Sequence, residues 1–135
     1  MVYDAEVHAA LLTQLKTVVS ATLVAEENKE FEPSDGSPWI RETLLPGIPE
    51  RVEIMQDGLS RQFGVYQVDV FAPSGMGTDI ADALAKTIGD AFVPGTGYTS
   101  SDVTARIQRV YTRPGREDGD YYHKPLVIEW WIMES

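Results

Sequence analysis

Positions Val7, Leu11, Leu15, Val18 and Thr22 recur at three- and four-residue steps between Tyr3 and Leu23, with Ala10, Leu12 and Val19 beside them. That spacing lays one stripe along a helix of about five turns. Pro33, Asp35 and Gly36 stop the periodicity inside the acidic connection AEENKEFEPSDGS. WIRETLLPG, bounded by Pro38 and Pro46, predicts an edge strand, because proline cannot donate to a central ladder. The residues PGIPERVEIMQDGLSRQFG read as a loop or partial strand pair turning at Asp57-Gly58.

GVYQVDVFAP is a clear strand: Tyr66, Val68 and Val70 share a core face, while Gln67 and Asp69 share a wet one. Pro73, Ser74, Gly75 and Gly77 break it. A second helix runs from Asp79 to Phe92, with Ile80, Ala83, Leu84, Thr87, Ile88 and Ala91 on one stripe and Thr78 available as N-cap. VTARIQRVYTRP and KPLVIEWWIME then predict two long strands joined by the charged loop GREDGDYYH.

The order of these elements implies an α+β fold: a mostly antiparallel sheet of about four strands with two helices packed on one face. Residues 1–135 fit one domain, given that domains cluster around roughly 100 to 150 residues. In the last strand Leu126, Ile128, Trp130 and Ile132 share one face. Val127, Trp131 and Met133 crowd the other, wetted only by Glu129. Either a partner subunit or a loop of the same chain has to cover that second face.

Charge narrows the partners. Twenty-one acids against 11 bases give a net charge of −10, which repels phosphate backbones and argues against specific nucleic-acid binding. Arg106, Arg109, Arg113 and Arg116 form a basic cluster in sequence, but Arg106 and Arg109, three apart, would point to opposite faces of a strand. Arg113 and Arg116 sit beside Glu117, Asp118 and Asp120 in a mixed-charge loop. No segment approaches the roughly 20 apolar residues of a membrane helix, so no membrane partner is expected. The acidic start MVYDAEVHAALL lacks the basic region of a signal peptide. Zero cysteines remove disulfides, thiolate nucleophiles and thiolate metal sites, in keeping with a reducing compartment.

No residue set reads as catalytic, cofactor-binding or metal-ligating. His8 and His123 have no ligand spacing around them and read as surface or structural residues. PSGMGTD supplies neither a nucleophile elbow nor a phosphate loop, and Asp79 and Asp82 occupy the helix start that would otherwise attract an anion. Glu117, Asp118 and Asp120 lack the alternating ligands of a calcium loop and read as a solvated hairpin tip.

FEPSDGSPWIRETLLPG, from Phe31 to Gly47, followed by GVYQVDVFAPSGMG and a helix ending AFVPGTGYT, resembles the tail-terminator-like proteins of tailed bacteriophages. The resemblance is carried by Phe31, Pro33, Gly36, Pro38, Trp39, Ile40, Arg41 and Glu42, and then by Gly64, Tyr66, Gln67, Val68, Asp69 and Val70. It implies a structural protein, not an enzyme, that needs no cofactor and forms a homo-hexameric ring. Such a ring caps the tail tube, stops its growth and offers a surface for head attachment. The implied partners are other copies of the chain, the tail tube protein and a head-completion protein. The implied locations are the virion tail and, during assembly, the host cytoplasm.

On this reading Trp39 anchors the subunit contact beside the rigid Pro38, Arg41 and Glu42 set its register, and Trp131 and Met133 extend it. An acidic ring would let DNA pass without retaining it. A head-to-tail connector or other tail-completion subunit is the nearest alternative, and a small-ligand-binding domain or enzyme a more distant one.

Overall fold

The structure, a computed structural model, describes residues 2–34, 36–51 and 60–134. The first helix, α1, spans Asp4–Leu15 rather than running on to Leu23. Val7, Ala10, Leu11 and Leu15 are buried as the stripe predicts. The stop is chemical. In a continuing helix the Gln14 carbonyl would accept from the Val18 N–H, but it accepts from the Thr17 N–H and hydroxyl instead. The following Val18, Val19 and Thr22 are β-branched and hold no helix against that competition. A 3₁₀ turn at Ala21–Leu23 leads into the two-residue strand β1, Val24–Ala25.

Among the described residues seven further strands follow: β2 (Trp39–Pro46), β3 (Glu50–Arg51), β4 (Ser60–Pro73), β5 (Gly97–Ser100), β6 (Val103–Thr112), β7 (Arg116–Asp118) and β8 (Tyr121–Glu134). Helix α2, Asp79–Ala91, separates β4 from β5. All eight strands join one sheet of order β1-β2-β4-β8-β6-β5, with β3 paired to β4 and β7 to β8. Because β1 lies parallel to β2 while the other pairs are antiparallel, the sheet is mixed.

This corrects the expected four-stranded antiparallel sheet carrying two helices on one face. Helix α1 touches both β2 and β5, which lie four places apart in the strand order. In a flat sheet they would be roughly 19 Å apart. The sheet must therefore curl around α1, while α2 packs on β4, β8 and β6. The extra strands are short pieces of what reads as loop, too brief for alternation to show.

The concave face carries Ile40, Leu44, Tyr66, Val68, Val70, Leu126, Ile128, Trp130 and Ile132 against α1 and α2. From α2 the fully covered residues are Ala81, Ala85 and Ile88, while Ala83 and Thr87 of the expected stripe are exposed. Thr78 makes no side-chain cap bond to the backbone. The register of β2, β4 and β8 places Trp39, Phe71 and His123 together near one end of the outward face, and Phe63 and Trp131 near the other. The turn expected at Asp57-Gly58 lies outside the described residues.

Candidate interaction surface

At the first end of the outward face, β2, β4 and β8 each contribute one ring. Trp39 stacks on Phe71 with centroids 4.2 Å apart, and Phe71 stacks on His123 at 4.7 Å. Phe31, from the connection before β2, stacks on Trp39 from the other side at 5.3 Å, and Tyr121 meets Trp39 edge-on. Phe71 is thereby buried on a face that faces away from the helices.

Asp69, expected on a wet face, is only 2% exposed here. Its Oδ1 accepts from His123 Nε2 at 2.7 Å and from Gln67, and its Oδ2 accepts from Arg41. Burial alone would raise its pKa, but the bonds from His123 and Gln67 and the charges of His123 and Arg41 outweigh that and hold it below 3.8. His123 is consequently not a surface residue but a buried partner of this carboxylate.

The second end is open. Phe63 is 40% exposed and Met133 37%, and Trp131 is half-buried between them. The Arg61 guanidinium lies 5.1 Å from the Trp131 ring centroid and 5.8 Å from that of Phe63. Among the described residues its buried Nε has no hydrogen-bond partner. A register shift between Ile107 and Arg109 also puts Arg106 opposite Trp131 and Arg109 opposite Glu129. The two arginines therefore share the outward face, correcting the expectation from strict alternation.

Of the six residues that the sequence nominates for a contact, Trp39, Arg41, Trp131 and Met133 belong to this outward face, and Pro38 leads into it. Glu42 does not. It is fully buried on the concave side, where it accepts from the Tyr66 hydroxyl at 2.6 Å, the Glu27 N–H at 2.6 Å and His8 Nε2 at 2.5 Å.

Burial works to raise the Glu42 pKa, yet the bonds from His8, Tyr66 and the Glu27 backbone hold it below its ordinary value. In return Glu42 lifts His8 above 6.5, against the lowering effect of partial burial. Burial, and then Glu42, push the Tyr66 phenol far above its usual range. These partners lie 24 and 34 residues from Glu42, so no local spacing announces them. The one signal is a charge at an inward position of WIRETLL, between Ile40 and Leu44.

Fold and surface together define a sheet protein whose most unusual exposed feature is an aromatic and arginine-bearing face, the composition of a protein contact. A sequence family described as "Phage tail terminator protein" matches residues 6–130, and the chain belongs to that family. That family is one of structural proteins of the phage tail.

No curated protein sequence matches the chain. One solved chain superposes with a TM-score of 0.74 at 19% identity, covering 96% of this chain and 94% of its own. A chain from "Virion of native gene transfer agent (GTA) particle" superposes at 0.62 with 17% identity, covering 96% of both. At those identities the likeness is one of fold.

Proposed function

We infer that this protein is a tail terminator which closes the finished tail tube as a homo-hexameric ring and presents the surface to which the head attaches. The observation that carries this reading is the open end of the outward face: Phe63 and Met133 exposed and Trp131 half-buried around Arg61, in a chain of this family. Exposed aromatics are costly to leave in water, and an arginine with no carboxylate partner among the described residues is free to pair with one on another subunit.

Trp131 and Met133 form the centre of the subunit contact, and Pro38, Trp39 and Arg41 lie toward its margin. Tail tube and head-completion proteins bind the two rims of the ring. DNA crosses its hole without being held, consistent with the net charge of −10.

Microscopy of particles made without this chain tests the role. Overlong or headless tails are the expected outcome. Tails of normal length with heads attached would contradict it.

A further inference from the structure

His8, Glu27 and Glu42 come from three separate segments, α1, the connection after β1, and β2, and each turns a ligand-type atom to one point. Those atoms lie within 4.8 Å of one another. We propose that they form a binding site for a divalent first-row transition ion, with zinc the best match to one imidazole and two carboxylates.

A surface group of acids would not support this, but Glu42 is no surface acid: it is 0% exposed. A carboxylate so deep needs a positive partner; with no ion bound His8 fills that place, and an ion held by both side chains would take it over. The nearby charge is unbalanced towards negative. Glu26, Glu27, Glu42 and the pocket-lining Asp4 surround His8, while Lys16 and Lys29 are both taken up by Glu26.

The supporting shell is already built. The Tyr66 hydroxyl and the Glu27 N–H fix the Glu42 carboxylate, and the Leu44 N–H fixes Oε1 of Glu27 at 2.9 Å. Such outer bonds orient ligands and tune their basicity in metal sites. A pocket of about 380 Å³, lined by Asp4, His8, Glu27 and Asn28, gives an ion access and leaves room for water as a fourth ligand.

Binding asks for two changes. The proton between His8 Nε2 and Glu42 Oε1 leaves to solvent, because the imidazole ligates through a free nitrogen lone pair. His8 Nε2 and Glu42 Oε1 must part from 2.5 Å to the spacing of about 3.3 Å that a tetrahedral ion sets between its ligands. His8 is partly exposed on the second turn of α1, and the Glu27 side chain is exposed, so both can move. The bound ion would then tie α1 and the connection after β1 to the sheet.

Calorimetric titration of the full chain with zinc chloride, after treatment with a chelator, tests the proposal. The expected result is one ion per chain, a higher melting temperature, and an X-ray absorption spectrum showing a single imidazole among oxygen ligands. His8→Gln and Glu27→Gln should each weaken binding at least about tenfold. Glu27→Gln acts at an exposed position, whereas His8→Gln takes a partner from the buried Glu42, so circular dichroism establishes that each variant is folded before it is titrated. Failure of the folded wild-type chain to bind zinc would overturn the proposal. So would undiminished binding by the double variant His8→Gln/Glu27→Gln, or a preference for magnesium over zinc. None of these results depends on whether the protein forms a ring.

Discussion

At one end of the outward face Phe31, Trp39, Phe71, His123 and Tyr121 cover one another; at the other, Phe63 and Met133 stand exposed and Trp131 half-buried around the Arg61 guanidinium. Both ends hold a tryptophan, a phenylalanine and an arginine. They differ in what lies beside them. The covered end has the connection before β2, which brings Phe31 back over Trp39, and it has Asp69 to receive Arg41 and His123. At the open end Arg61 has no carboxylate partner among the described residues. Residue type alone therefore does not make a contact surface. A side chain that the protomer satisfies works for stability, and one left unsatisfied remains available to a partner.

The largest effect should come from the covered end. Trp39→Ala removes a ring stacked on both sides and should lower stability by about 3 kcal/mol in a urea melt. Trp131→Ala, at a half-buried site with fewer ring contacts, should cost about 1 kcal/mol. A reversal of that order would break the contrast between the two ends.

A slightly smaller effect tests whether the open end lies over a loose sheet. A Cβ on Gly64 would lie 2.3 Å from Cζ2 of Trp130, which is fully buried on the concave side. Gly64→Ala should therefore cost about 2 kcal/mol through overpacking. A neutral result would mean that the core under the open end yields, and that Trp131 is exposed because its strand is poorly seated.

Of the two ends, acid should act on the covered one, while the depressed Glu42 on the concave side adds a loss common to wild type and variant. The folded pKa of Asp69 is depressed, so its stabilisation is present above the unfolded value near 3.8 and is lost as pH falls through the folded value. Asp69→Asn should remove that acid-side loss while lowering stability at neutral pH. Parallel melts from pH 2 to pH 7 check this. The two curves should converge at low pH, and curves that stay parallel would show that Asp69 is not the group responsible.

Met133→Asp should have the smallest effect on the isolated chain, within about 0.5 kcal/mol, because the side chain is already partly in water. It should nevertheless exclude the protein from assembled tails in a complementation assay. Normal incorporation would take the open end out of the contact.

The sequence made some of this legible and hid the rest for physical reasons. Helix α2 and the core face of β4 follow from apolar periodicity, since Ile88, Tyr66, Val68 and Val70 are buried where the pattern puts them. The end of α1 was hidden by the valines after Leu15, which continue the stripe while Thr17 turns the backbone away. Strands β1, β3 and β7 are two or three residues long, too short for a period of two to register.

Glu42 and Asp69 mislead in the same way. An acid in an alternating strand reads as solvent-facing, but each is hydrogen-bonded by a histidine distant in sequence, His8 for one and His123 for the other. The nomination of Trp131 and Met133 rested on the second face of the last strand, which they share with Val127 and only Glu129 to wet it. The resemblance around Trp39 pointed correctly to the family, and the structure shows that much of that segment's aromatic surface is turned to the protomer's own use.

Because the chain has no cysteine, Met133→Cys creates a single thiol at the open end. Its rate of alkylation should be high in the free protein, low in assembled tails, and restored when those tails are denatured. Equal reactivity in free protein and assembled tails would contradict the claim that this end is the buried contact.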